Sequence, residues 1–238
     1  MRLMKLFLHA CCGPCYLGVN TGLVDGDGGL HAGDEVLIWY YNPNIHPADE
    51  EERRWQNLVL AARATGRPLV RAGYEPERHL AATRGGFSPV LRGHEPAEHA
   101  APCEHAAPCR CLACYRLRLE EAARAAREAG FDTLSTTLLV SPWQRHEDIV
   151  EIGRDAAAAQ GLAFLATDFR VYYRAGQERA KELGLYRQKD CGCAASRNEA
   201  REQEELHAAE KAARKEALRL EAAQNRAAKE ARKARDRA

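Results

Sequence analysis

Five short runs stand out as apolar against their surroundings: LMKLFLHA (3–10), VLIWYYN (36–42), RPLVRAGY (67–74), TLSTTLLV (133–140) and LAFLATDF (162–169). Each reads as a strand, and the first and fourth as buried ones. Between them, residues 49–65, 112–129, about 145–160 and about 175–184 carry helical patterns, and Gly130 and Gly161 close two of these segments. Strands that alternate with helices predict an α/β fold, with a mainly parallel Rossmann-like sheet and helices on both faces.

The pattern changes at Arg197. From there to Ala238 the chain has no Gly, Pro or Cys, and its only apolar residues larger than Ala are Leu206, Leu218 and Leu220. Such a segment buries little, and i,i+4 pairs such as Glu210 with Arg214 favour a solvated helix. The expectation is a catalytic α/β domain over 1–196 and a long charged C-terminal helix over 197–238. The last turns, from Arg226 onward, hold six basic and two acidic residues and are a candidate RNA contact. Two stretches read as surface insertions. Residues 21–34 hold five glycines and predict a loop, and residues 98–109 are a tandem duplication of EHAAPC. Duplication accounts for Cys103 and Cys109 without chemistry.

Composition narrows the functional classes. Of 238 residues 45% are apolar, enough for a core, and the formal net charge of +1 makes no electrostatic case for nucleic acid by itself. No apolar run approaches the length of a membrane span, and MRLMKLFLHACC lacks the h-region and cleavage site of a signal peptide. A cytoplasmic protein with no membrane partner is expected. In a reducing compartment nine cysteines suggest metal or redox chemistry rather than structural disulfides.

Outside the duplication, seven cysteines fall in three groups: Cys11, Cys12 and Cys15 after the first strand, Cys111 and Cys114 as CxxC opening a helix, and Cys191 and Cys193 as CGC. The first group follows a strand's carboxyl end, as do NPNIHP, SPW and DFR, and ligands of open α/β sheets bind outside those ends. Helix N-termini near Cys15 and Cys114 favour thiolate. One zinc or one [4Fe–4S] cluster takes four ligands. Seven thiols therefore suggest two centres, or one centre with a redox pair; a zinc-stapled fold with spare thiols is the structural alternative. An adenylating tRNA sulfurtransferase would need a glycine- and serine-rich loop where CCGPC stands. A thiol–disulfide oxidoreductase would need one CxxC and no iron.

LHACCGPC, YYNPNIHPADEEERR, CLACYRLRLEEAA, TLSTTLLVSPWQRHEDI, DFR and YRQKDCGC, in this order, resemble the QueH family of epoxyqueuosine reductases, and the likeness runs through nearly all of 3–196. The resemblance implies an iron–sulfur enzyme that reduces the epoxide of epoxyqueuosine at the tRNA wobble position to queuosine. It implies Cys11, Cys12, Cys111 and Cys114 as [4Fe–4S] ligands. It implies Cys191 and Cys193 as a redox pair or ligands of a second metal, such as iron, with Cys15 a further ligand. Gly13 stands where Ala is commoner in the family, which reads as a mild change.

Under that reading the substrate is tRNA and electrons come from an external donor. Asp168 in TDFR is a candidate proton donor or water-orienting group, or else a helix cap and partner of Arg170. Asn42, Asn44 and His46 of NPNIHP are candidate substrate contacts. One of Tyr40 and Tyr41 is expected in the core and the other, Tyr41, free to stack on a base. Arg53, Arg54, Arg116, Arg118 and Arg187 are candidate phosphate contacts. The alternative is a zinc- or iron–sulfur-binding tRNA-modification module without reductase activity.

Overall fold

The computed structural model of the chain describes residues 3–26, 29–84 and 110–235. The duplicated EHAAPC unit, with His99, Cys103, His105 and Cys109, lies outside the described residues. Two compact units are present, Met1–Gln188 and Lys189–Ala238.

The first unit is built on a parallel sheet. Strands β1 (Lys5–Ala10), β2 (Glu35–Tyr40), β3 (Leu69–Arg71), β4 (Thr133–Thr136) and β5 (Ala163–Phe164) lie in the order β3-β2-β1-β4-β5. β1 is central and buried from Leu6 to Ala10, as a strand covered on both faces must be. Phe7 packs on Trp39 at 5.6 Å and on Phe131 at 5.3 Å between ring centres. Burial of each such side chain stabilises the fold by roughly 1.5–3 kcal/mol.

The helices are α1 (Gly13–Asp25), α2 (Ala48–Thr65), α3 (Pro76–Arg84), α4 (Arg110–Glu128), α5 (His146–Ala159) and α6 (Tyr173–Glu182). Two expectations are corrected. The glycine-rich stretch 21–34 is helical as far as Asp25. Its Gly22 reflects close packing, not a turn: a Cβ there would come within 2.7 Å of the Phe169 and Tyr172 rings. The run 133–140 is strand only to Thr136, then a 3-10 turn over Thr137–Val140. The Thr136 side chain accepts a hydrogen bond from the Leu138 N–H and so caps the turn, competing with the strand ladder.

The second unit is dominated by α7 (Ala194–Arg235), 42 residues of continuous helix. Leu206, Leu218 and Leu220 are exposed on it. No helix among the described residues is long and apolar enough to cross a membrane.

Candidate active site

With the order β3-β2-β1-β4-β5, the connections leave β1 in opposite directions, so the crevice of this sheet opens at the carboxyl ends of β1 and β4. Cys11 stands at the first of these ends and Thr137 at the second. The Cys11 N–H donates to Thr137 Oγ1 at 3.0 Å, and the Thr137 hydroxyl donates to Cys11 Sγ at 3.2 Å. Cys12 is the N-cap of α1, and Cys15 lies in its first turn. The sulfur atoms of Cys11, Cys12 and Cys15 all lie within 4.8 Å of one another, and the three are unbridged thiols.

These thiols share protons unequally. Hydrogen bonds from Cys12 and Cys15, helped by Arg118 and Thr137, hold Cys11 well below the usual thiol range despite its burial. Burial, then donation to Cys11, pushes Cys12 up to about 12, and donation to Cys11 and Cys12 raises Cys15. Cys11 is thus the most readily ionised thiol of the three. A metal that takes all three must displace thiol protons, so its affinity rises with pH.

Cys111 and Cys114 open α4, three residues apart on one face. Arg118, one turn further on, ties that helix to β1. Its Nη1 lies 4.0 Å from Cys114 Sγ, and its Nη2 donates to Asn42 Oδ1 at 2.5 Å. Asn42 Nδ2 in turn donates to the Ala10 carbonyl at 2.9 Å. Asn42 is therefore a buried brace between the two cysteine groups.

His9 ties β1 to both of its neighbours. Its Nε2 donates to the Tyr41 carbonyl at 3.2 Å, which leaves Nδ1 to accept from the Thr136 hydroxyl at 2.8 Å. Burial first, then Arg118, lower its pKa to about 3, so the imidazole is neutral. Gln188 directs its amide nitrogen at Cys12 Sγ. Its segment is anchored on α2: the Tyr186 N–H donates to Asn57 Oδ1 at 2.7 Å, and Arg53 lies over the Tyr186 ring.

In the second unit, Cys191 Sγ and Cys193 Sγ are 3.6 Å apart. Ser196, in the first turn of α7, contacts Cys191 Sγ through its hydroxyl at 3.0 Å and donates its N–H to Cys193 Sγ at 3.3 Å. Proton sharing with Cys193, together with burial, pushes the Cys191 thiol well up.

The donor set fits a thiolate-ligated metal or cluster. Three thiols converge within bonding reach of one ion, hydroxyl and amide groups point at the sulfurs, and the nearby buried guanidinium has no carboxylate partner among the described residues.

Residues 6–199 match the family model of epoxyqueuosine reductase QueH. The chain belongs to that family. It is an oxidoreductase. Curated epoxyqueuosine reductases QueH from Dehalococcoides mccartyi and Thermotoga maritima are each 30% identical to it. The first aligns over 82% of this chain and 93% of its own length, the second over 83% and 92%. Among solved structures, the U34-tRNA thiolase NcsA from Methanococcus maripaludis with its [4Fe-4S] cluster aligns at 13% identity and a TM-score of 0.46, covering 83% of this chain and 63% of its own.

Against this QueH-family frame, several site residues stand differently from their sequence reading. Tyr40 and Tyr41 are both buried; Tyr41 packs on Trp39 and donates its hydroxyl to Glu75 at 2.9 Å, so neither ring is open to a base. Arg54 and Arg118 are also buried, which removes them as phosphate contacts. Arg53 stacks on Tyr186, while Arg187 is exposed. Asn44 is buried, and His46 is half-buried with its ring 6.1 Å from that of His79. Asp168 caps a 3-10 turn and pairs with Arg170 at 2.7 Å; that bond holds its carboxyl down to about 2. In this arrangement it is an anion and has no proton to give near neutral pH.

Sequence reasoning missed His9, Thr137 and Gln188. Their signals were a polar residue in an apolar strand, a threonine at a strand's carboxyl end, and a glutamine inside YRQKDCGC.

Proposed function

We propose that this chain reduces epoxyqueuosine at the wobble position of tRNA to queuosine. Cys11, Cys12, Cys111 and Cys114 would hold a [4Fe–4S] cluster, and Cys191 and Cys193 would act as a redox pair or hold a second metal, iron being the candidate. The convergence of Cys11, Cys12 and Cys15 at the switch point of the sheet carries this reading.

The overall change breaks the two C–O bonds of the epoxide, forms a C=C bond and releases water, consuming two electrons and two protons. The cluster, when bound, supplies single electrons received from an external donor. The chain's own groups fix and insulate the site. Thr137 and Gln188 steady the sulfurs of Cys11 and Cys12 by hydrogen bonds, and His9 holds the strand ends that carry them. Proton sharing with Cys193 and burial raise the Cys191 thiol, which favours its protonated form in the metal-free chain. Asp168, as an anion, orients donors and does not supply the proton.

For tRNA, the exposed Arg187 offers a phosphate contact. Trp143, 82% exposed in the SPWQ loop after β4, offers a stacking surface for an unpaired base. Tyr115, next to Cys114, fixes that loop by donating its hydroxyl to Gln144 Oε1 at 2.7 Å.

The test is anaerobic reconstitution, iron and sulfide analysis, and an assay on tRNA carrying epoxyqueuosine. About four iron with four sulfide per chain and conversion to queuosine are expected. One zinc without sulfide and no turnover would refute the reading. Full turnover by both C191A and C193A would refute the role given to that pair.

A further inference from the structure

Arg118 is a buried cation without a matching carboxylate. Its residue exposure is 3%. Nη2 is bonded to the neutral Asn42, Nη1 lies against Cys114 Sγ, and Nε is buried with no hydrogen-bond partner. No carboxylate lies within ion-pair distance of it among the described residues. A guanidinium keeps its charge throughout the physiological range, and leaving one uncompensated in the interior costs several kcal/mol. Arg54, the other buried arginine among the described residues, is balanced: it pairs with Glu50 at 2.7 Å.

Of the two side chains it touches, Asn42 is a neutral amide and Cys114 carries a sulfur that bears negative charge as a thiolate, 4.0 Å from Nη1.

We propose that Arg118 is the counter-ion of the cysteine centre and a positioning residue that raises the reduction potential of the cluster held there. It lies against Cys114 on one side and, through Asn42, is tied on the other to the Ala10 carbonyl that precedes Cys11. A thiolate-ligated cluster is anionic when oxidised and gains one more negative charge when a one-electron donor reduces it. A fixed positive charge beside it stabilises the reduced form more than the oxidised form. The proposal rests on the cysteines being cluster ligands, as inferred above.

The test uses the full chain, reconstituted anaerobically and titrated with dithionite while the reduced cluster is followed by its paramagnetic resonance signal. R118M removes the charge at similar length. It is expected to keep the wild-type iron and sulfide content, while its reduced-to-oxidised ratio at a fixed potential falls about tenfold, equivalent to about 59 mV for one electron. R118K is expected within about twofold of wild type, as the charge remains. A purely structural role would lower cluster content without moving the midpoint. N42D is the second variant, because it places a carboxylate on the guanidinium and neutralises it in place. If R118M does not fold, N42D decides: a midpoint moved the same way supports the proposal. An unchanged midpoint in a fully loaded R118M or N42D overturns it. Wild-type chain that takes up no iron overturns the cluster reading itself and the proposal with it.

Discussion

Cys11 and Thr137 exchange two hydrogen bonds across the top of the sheet, the Cys11 N–H donating to Thr137 Oγ1 at 3.0 Å and the Thr137 hydroxyl to Cys11 Sγ at 3.2 Å. One residue thus fixes both the backbone and the sulfur of the first cysteine. T137V is close to isosteric but removes both bonds. The Cys11 thiol is expected to titrate higher, since Thr137 is among the causes that hold it down. Leaving the buried N–H unpaired is expected to cost about 1–3 kcal/mol. Thiolate absorbance against pH, and urea unfolding of the metal-free protein, check the two effects. A variant with an unchanged titration curve would show that the hydroxyl does not govern this thiolate.

Gly13 is less tolerant than its sequence suggests. A Cβ built there meets the Asn57 carbonyl oxygen at 2.9 Å, backbone that cannot swing aside. G13A is therefore expected to push α1 from α2 and to cost about 1–3 kcal/mol. Asn57 also holds the Tyr186 N–H, so the displacement reaches the segment that aims Gln188 at Cys12. Thermal unfolding and iron retention should both fall. Wild-type values for both would mean that α2 yields freely.

His79 predicts an acid-labile fold. Burial first, then Arg118 and His46, lower its pKa to about 4 from 6.5. The unfolded chain takes up this proton first as pH falls. The contribution is therefore fully present above about pH 6.5, is lost between pH 6.5 and 4, and changes no further below. Allowing for partial solvent screening, the loss is expected to be about 1–2 kcal/mol. Urea midpoints of wild type and H79Q at pH 7 and pH 5 test it. The variant should lose less between the two; an equal loss would place the acid sensitivity elsewhere.

Much of this organisation was legible in the residues, and the failures have physical causes. β1, β2, α2, α4 and α5 announce themselves because each carries its apolar period undisturbed. α1 was hidden because its Gly22 is demanded by Phe169 and Tyr172, residues remote in sequence, and glycine reads locally as a turn. Thr137 was hidden in a strand-like run because its task is set by Cys11, across the sheet. The cysteine groups were legible as chemistry from spacing alone. Arg118 was legible only as a charge: sequence cannot say that its partners are sulfur and a neutral amide, and burial turned a supposed phosphate contact into part of the site.

Trp143 gives the reading its test on RNA. Its ring is exposed, yet its loop is held: the Trp143 N–H lies 3.4 Å from Ser141 Oγ, and Tyr115 bonds both the Gln144 side chain and the Arg145 N–H. An exposed ring on a fixed loop loses little freedom when a base stacks on it, so stacking should be worth about 1–3 kcal/mol. W143A is expected to weaken tRNA binding by roughly tenfold, with iron content and thermal unfolding unchanged, because the residue is 82% exposed and buries little in the fold. Y115F leaves the ring in place but frees the loop, and should weaken binding less. Binding is read by fluorescence anisotropy with labelled tRNA. If W143A binds as wild type does, the base is held elsewhere, and the exposed Trp143 ring has no part in tRNA recognition.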